Sequence, residues 1–487
     1  MVEWYDSLTS VGDLRPERTP DAARRPATPP PTGHGTRDAG PVPVFLPVFP
    51  VRLLGASVSG GTLIVGASQA GLQLAVSLRQ LGDTAPITLI GEEPHPPYQR
   101  PPLSKEFLAG EADLGSLAFR VPGFYESAGI DLICGERVTD VSLSATARPE
   151  SAVGGPAGSG VATTATGRAL PFDRLALTVG SAPRRLTVPG SDLDGICVLR
   201  DRDDADRLRS RLLTASRVVV VGGGFIGLEA AAVARALGKE VTVVEAAPRL
   251  LARAVAPVLS EFYLRAHRRR GTRVLLSGAV TAFSGTDGRV TGVDLADGTR
   301  LPADLVLVGV GVVPRTELAE RLGLECDSGI VVDADARTSD PAVCAAGDCT
   351  VQPHPTTGLG RVRLESVQNA VAQATVAAAT LLGRPAGPRA VPWFWSYQGD
   401  LKLQIAGLST GYDDYVVRGE PDSERFSVLY YREDRLLAID AVNSPADYMA
   451  VRGALTRGAT VERGAAADTS ASLKSLLVTR TDVVLPT

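Results

Sequence analysis

A strand that runs into a glycine-rich turn and on into a helix occurs twice in this chain, and no other feature limits the fold as much. One copy is complete: Arg217-Val-Val-Val-Val-Gly222 leads into Gly222-Gly-Gly224-Phe225-Ile226-Gly227, a helix reaching Leu237 and a strand from Glu240 to Glu245. In such a turn the first glycine allows the tight bend, the second lets a pyrophosphate approach the backbone, and the third lets helix and strand pack closely. The pyrophosphate then rests on the positive N-terminus of the helix. The earlier copy runs Thr62-Leu-Ile-Val-Gly66, Gly66-Ala-Ser68-Gln-Ala70-Gly71, a helix from Gly71 to Leu81 and a strand from Ile87 to Ile90. It carries Ser68 where the middle glycine belongs; serine is small, and its hydroxyl suits a phosphate. An acid stands at the end of each second strand, Glu92 in one unit and Glu245 in the other, placed to accept from a ribose hydroxyl. A single turn of this kind is weak evidence. Two, each flanked by strands and followed by an acid, point to two dinucleotide sites.

The remaining sequence supplies the organisation around them. At 487 residues the chain exceeds one ordinary domain. Residues 1–60 hold ten of the 35 prolines and no period, so they read as a disordered leader. Ser144 to Gly167 is rich in Ala, Gly, Ser and Thr and reads as a long hairpin loop. After Pro385 come shorter, alternating, more aromatic segments such as Phe426-Ser-Val-Leu-Tyr-Tyr, which mark a separate αβ domain. A net charge of −4 with both signs mixed argues against nucleic acid as the main partner. No apolar run approaches the ~20 residues of a membrane span; the best, Val42 to Leu54, is broken by Pro43, Pro47, Pro50 and Arg52. Five scattered cysteines and no secretory signal fit a reducing cytoplasm and offer no clustered metal ligands.

Around the two turns lie further motifs: Pro97-Tyr-Gln-Arg100-Pro-Pro-Leu-Ser-Lys105, Gly222 to Glu229, Thr338-Ser-Asp-Pro, Ala346-Gly-Asp348-Cys, Glu365-Ser-Val-Gln-Asn-Ala370 and Pro392-Trp-Phe-Trp-Ser396. In this order they resemble the FAD-dependent NADH:ferredoxin reductases of cytochrome P450 and aromatic dioxygenase systems, the putidaredoxin reductase and rhodocoxin reductase type. The likeness runs from about Gly61 to Pro486. It implies an α/β fold of two Rossmann-like dinucleotide-binding domains, for FAD (61–182 and 311–390) and NAD (183–310), plus a C-terminal αβ domain (391–487). Gly66, Ser68, Ala70, Gly71, Glu92, Arg100, Lys105, Val138, Arg200, Asp348 and Val367 are then expected at FAD, and Gly222, Gly224, Phe225, Ile226, Gly227, Glu245 and Gly311 at NAD. The chain departs from the family at Tyr397, where the family has Asp, and at Gln368, where it has Pro.

Four residues are candidates for the chemistry. Lys105 is one of four lysines in a chain with 46 arginines and ends a proline-stiffened segment, although a lone lysine is usually a surface group. By resemblance it pairs with Glu229 beside the flavin. Glu365 could simply decorate a helix start, but the resemblance brings it to the nicotinamide. Trp395 could be an ordinary core aromatic; in the family it lies over the flavin edge, where electrons leave. The implied activity is transfer of reducing equivalents from NADH through FAD to a [2Fe–2S] ferredoxin, whose acidic surface Lys402 would help to steer. Two other readings remain open. Cys344 and Cys349 have the spacing of a flavin disulfide reductase pair, though such pairs belong on the helix after the first turn. A relative of apoptosis-inducing factor would use the same scaffold as an NADH-sensing partner protein.

Overall fold

Thr62–Val65 is buried along its whole length, which suits a central strand covered on both faces. In the computed structural model, which describes residues 60–144, 158–358, 360–387 and 390–479, it is the middle of a five-stranded sheet. The order is Val343–Ala345, Arg174–Leu177, Thr62–Val65, Ile87–Ile90, Ile130–Ile133, all parallel. A second parallel sheet runs Arg273–Leu276, Glu240–Glu245, Arg217–Val221, Leu305–Val308, Ile196–Cys197. Its strands come from between Arg174–Leu177 and Val343–Ala345, so the first sheet is completed only after the second is built. The crossing is marked by a short antiparallel ladder of Ser181–Pro183 with Val312–Pro314.

Each glycine turn opens a helix, Gln69–Gln80 in the first unit and Phe225–Ala236 in the second. Both start two residues before the point the glycine pattern suggests, because the third glycine lies inside the first turn. A Cβ at Gly71 would stand 2.0 Å from the Gly66 carbonyl oxygen, and one at Gly227 would stand 2.3 Å from that of Gly222. Only hydrogen fits at these crossings. Gln69–Gln80 packs against Val367–Leu381 through Ala70, Leu74, Ala374, Ala377 and Ala378. Alanines keep the two helices close, so the start of Val367–Leu381 reaches the mouth of the first turn.

A third sheet is antiparallel: Trp393–Gln398, Leu401–Gly407, Arg435–Val442, Arg425–Arg432, Asp414–Glu420. The helix Pro445–Thr456 covers one of its faces. The segment expected as a loop from Ser144 to Gly167 is corrected in part. Gly160–Thr164 is a strand with alternating burial, paired with Val138–Leu143 and Ala169–Phe172. Its β-branched Val161, Thr163 and Thr164 outweigh the loop-like composition. The leader expected at residues 1–60 lies, except for Gly60, outside the described residues. No helix among the described residues is long and apolar enough to cross a membrane.

Ala377 is fully buried between the two helices. Ala377→Leu is expected to destabilise the protein by about 1–3 kcal/mol through overpacking, read as a lower melting temperature. An unchanged melting temperature would mean that the helix pair can spread.

Candidate functional site

The two cradle helices begin without a side-chain cap, at Ser68 and at Gly224. Two other helices carry caps, Asp201 accepting from Asp204 N–H at 2.8 Å and Ser366 from Asn369 N–H at 3.1 Å, whereas Pro257–Arg269 and Pro445–Thr456 carry none. The first-turn N–H groups of the cradle helices therefore stay available to an anionic ligand. Each cradle opens into its own cavity, of about 680 Å³ at the first turn and about 1640 Å³ at the second.

The first cavity is lined by Gly66, Ser68, Ala70, Glu92, Arg100, Lys105, Val138, Arg200, Asp348 and Val367, so the structure gathers these expected FAD residues on one surface. Gly71 stands behind it as the packing glycine. Arg100 ties the wall together, donating from Nη1 to the Arg200 carbonyl at 2.7 Å and from Nε to the Ser68 hydroxyl at 3.2 Å. That bond leaves the Ser68 proton free to be given elsewhere. Asp348 accepts from Arg200 Nη2 at 3.2 Å and from the Ser181 hydroxyl at 3.3 Å. Glu92 is held by Arg315 at 2.7 Å, and this bond keeps its carboxyl below the usual carboxylate range. Its neighbour Glu93, absent from the sequence expectations, also lines the cavity and binds Arg100 and the Tyr98 hydroxyl. The cradles fit dinucleotides. A side chain at Gly66 would strike the Thr178 carbonyl at 2.2 Å, whereas one at Gly224 would meet nothing within 4 Å, leaving open space where a pyrophosphate is expected.

In the wall of this cavity Lys105 Nζ lies 2.6 Å from Glu229 Oε2. Lys105 follows the 3₁₀ turn Pro101–Ser104, and Glu229 is on the second cradle helix at 3% exposure, so it is no solvent-facing helix residue. Removing one member of a buried pair costs about 3–5 kcal/mol, because the other is left uncompensated. Trp395 stacks on Trp393, with ring centroids 5.7 Å apart, and lines the cavity. Phe394, overlooked in the sequence, packs on Phe225 at 4.7 Å and borders both cavities. The alternation of a strand would have revealed it, had the strand's register been known.

The second cavity is lined by Gly222, Gly224, Phe225, Ile226, Glu245, Gly311 and Glu365, with Gly227 behind as the packing glycine. Glu245 Oε2 accepts from Gly223 N–H at 2.6 Å and Oε1 from Ala247 N–H at 2.7 Å, which locks the carboxylate at the strand end. Arg249 turns away, donating to the carbonyls of Val255 and Ala252 and to Ser260. Glu365 accepts from Arg363 Nε at 2.8 Å and borders both cavities. So does Gln368, whose amide nitrogen and oxygen are both buried without a partner among the described residues. A buried amide with no partner in the chain calls for one from outside it, a water or a ligand. The two cavities thus meet at Phe225, Glu365, Gln368 and Phe394. Beyond them, Lys402 Nζ lies over the Tyr397 ring at 5.4 Å.

Residues 61–374 match the model of the pyridine nucleotide-disulphide oxidoreductase family, and residues 393–477 match that of the reductase C-terminal family. Rhodocoxin reductase of Rhodococcus erythropolis is 44% identical over 420 residues, spanning 86% of this chain and 95% of that protein. The crystal structure of the ferredoxin reductase for the CYP199A2 system of Rhodopseudomonas palustris aligns with a TM-score of 0.79 at 42% identity, over 86% of this chain and 99% of that one. That of the covalent putidaredoxin reductase–putidaredoxin complex aligns with a TM-score of 0.78 at 38% identity, over 86% and 98% of the two chains.

A redox-active disulfide needs an accessible, low-pKa thiolate. The helix Gln69–Gln80, where such a pair would sit, contains no cysteine. Cys344 and Cys349 are fully buried free thiols flanking the Gly347-Asp348 turn, and burial pushes both up to about 12. The Cys344→Ser/Cys349→Ser protein is therefore expected to keep NADH-to-carrier turnover within about threefold of the parent, an effect under ~1 kcal/mol. A loss beyond tenfold, with the fold and cofactor intact, would restore the disulfide mechanism.

Proposed function

The chain belongs to the pyridine nucleotide-disulphide oxidoreductase family, and from that premise we propose that it is an FAD-dependent reductase that oxidises NADH and passes single electrons to a [2Fe–2S] ferredoxin. The ferredoxin in turn serves a cytochrome P450 or Rieske-type oxygenase. Its relatives support this, rhodocoxin reductase and the reductase crystallised with putidaredoxin among them. The observation that carries the reading is the meeting of two dinucleotide cavities at Phe225, Glu365 and Phe394, beside the Lys105–Glu229 pair.

The FAD domain takes residues 61–182 and 311–390, the NAD domain 183–310 and the C-terminal domain 391–487; the split composition of the first sheet supports the division. When bound, FAD supplies the conversion of a two-electron donor into single electrons. The chain's own residues position the partners. The first-turn N–H groups after Gly66 and Gly222 would hold the two pyrophosphates, while Glu92 and Glu245 would hold ribose hydroxyls. Arg200 and Asp348 would hold FAD, Glu365 would orient the nicotinamide, and Lys105 would present a cation to the bound flavin. Trp395 borders the exit. Per turnover, one NADH and two oxidised ferredoxins give NAD⁺, two reduced ferredoxins and one proton. Lys402 and neighbouring bases steer an acidic ferredoxin. The protein works in the cytoplasm, where its five unpaired thiols stay reduced.

Purified protein should be yellow, hold about one FAD per chain, and reduce a [2Fe–2S] ferredoxin with NADH at turnover rates within the usual ~1–10³ s⁻¹. Protein that refuses FAD would sink the reading. Protein that binds FAD but reduces carriers only sluggishly would favour the sensing role.

NADH should be strongly preferred over NADPH. At an effective dielectric of ~20, a unit charge facing Glu245 at about 4 Å is opposed by roughly 4 kcal/mol. Solvent and side-chain movement reduce this to about 2–3 kcal/mol, a preference on the order of 30- to 150-fold. The carboxylate is pinned by two backbone N–H groups, Arg249 is committed elsewhere, and Arg253, which also lines the cavity, reaches toward Gly311. Comparing kcat/KM for the two coenzymes checks this, and near-equal values would remove Glu245 from the site.

A further inference from the structure

Glu229 lies where the three sheets' territories meet, and every donor around its carboxylate is identified. Oε2 accepts from Lys105 Nζ at 2.6 Å and from the Ser104 hydroxyl at 2.5 Å. Oε1 accepts from the Ser396 hydroxyl at 2.6 Å. A hydroxyl has one proton. Having given it to Glu229, Ser396 can only accept, and it does so from Gln398 Nε2 at a long 3.4 Å. The Gln398 oxygen then faces His267 Nε2 at 2.8 Å, so His267 is the donor there. Turning the Gln398 amide over would set its oxygen against a hydroxyl with no proton left to give. The direction of every link is therefore fixed, and donors run unbroken from His267 to Glu229. Burial also keeps His267 below the usual histidine range, in keeping with a neutral ring. Ser396, Gln398, His267 and Glu229 are each at most 3% exposed, so the chain of links is shielded from bulk solvent.

We propose that Ser396, Gln398 and His267 are positioning residues for the flavin: they hold the Glu229 carboxylate, and through it the Lys105 ammonium, at the FAD cavity, so that the C-terminal sheet helps to set the cofactor's reduction potential. The proposal rests on the assignment of that cavity to FAD. Lys105 lines the cavity, and a cation there favours the reduced cofactor, which carries the added negative charge. With the Ser396 proton absent, Oε1 has no donor. The carboxylate then turns both oxygens onto Lys105 and Ser104 and draws the ammonium away from the cavity.

The test is a redox titration of the full-length, FAD-loaded protein, followed by flavin absorbance. Ser396→Ala should shift the two-electron reduction equilibrium about tenfold toward the oxidised form, about 30 mV for a two-electron couple. Ser396→Thr should restore it, and His267→Leu should shift it less in the same direction. Because the network acts through Lys105, Ser396→Ala added to Lys105→Met should produce no further shift, a double-mutant test of coupling. A Ser396→Ala potential equal to that of the parent, with FAD retained, would overturn the proposal, as would additive shifts in the double variant. Should Ser396→Ala fail to fold, His267→Leu decides alone, and an unshifted potential there would overturn the proposal. If the unaltered protein takes up no FAD, it is the assignment of the cavity that fails.

Discussion

The rest of the molecule depends on two places where a helix touches the turn that feeds it. At Gly71 and Gly227 the helix backbone comes so close to the preceding glycine carbonyl that a methyl group would overlap an oxygen. This contact lets each helix start directly off the end of its strand, with uncapped N–H groups facing the carboxyl edge of the sheet. It also fixes where the cavities open. Were either helix displaced outward by one side-chain radius, its first-turn N–H groups would no longer converge on a common point. The alanine contact between Gln69–Gln80 and Val367–Leu381 extends the same principle, bringing Val367 and Gln368 to the first cavity by keeping the helices thin.

The Lys105–Glu229 pair follows from that geometry and is poorly explained by stability. A buried ion pair gains attraction but gives up the hydration of two charges, and an apolar pair of similar volume is often as stable or more so. Here the desolvation is offset by unusually full coordination: Lys105 also donates to the Pro101 carbonyl at 3.0 Å, and Glu229 accepts from two hydroxyls. Such an arrangement keeps a cation in place at the cavity wall. The Pro-Pro step before it stiffens the approach, setting the backbone so that Lys105 is delivered at the end of a single 3₁₀ turn.

Much of this was legible in the sequence, for identifiable reasons. The two cradles are local patterns, and local patterns survive being read in one dimension. The pairing of Lys105 with Glu229 spans 124 positions and reached the expectations only through family resemblance. Glu92 was expected at the ribose from its place after the strand, yet the neighbouring Glu93 shares the cavity wall, and nothing in spacing separates two adjacent acids. The strand Gly160–Thr164 was hidden by a composition typical of loops, although its alternation of buried and exposed residues is plain once seen. Gln368 was visible only as a departure from the family, and its unpartnered amide is a tertiary fact. Ser396 is a small polar residue between aromatics; nothing local distinguishes it from a filler.

The position of Ser396 is nevertheless set by arithmetic between two repeats. Along Phe225–Ala236, Phe225 and Glu229 lie four residues apart, a rise of about 6 Å on one helix face. Along Trp393–Gln398, Phe394 and Ser396 lie two residues apart, about 6.8 Å on one strand face. The spacings nearly match, so Phe394 packs on Phe225 while Ser396 reaches Glu229, and Gln398, the next residue on that face, reaches His267. The other face sets Trp393 in the C-terminal domain's own core, with Trp395 packed against that core at the cavity wall. A slip of one residue would exchange the faces and set Trp395 and Tyr397 against the helix, with no hydroxyl at the carboxylate. What prevents the slip is the tight turn at Gly399-Asp400, where Gly399 takes φ +66 and Gln398 is paired directly with Leu401. The hydrogen bond from Ser396 to Glu229 is thus fixed by a glycine three residues further along the chain, through the register of a hairpin.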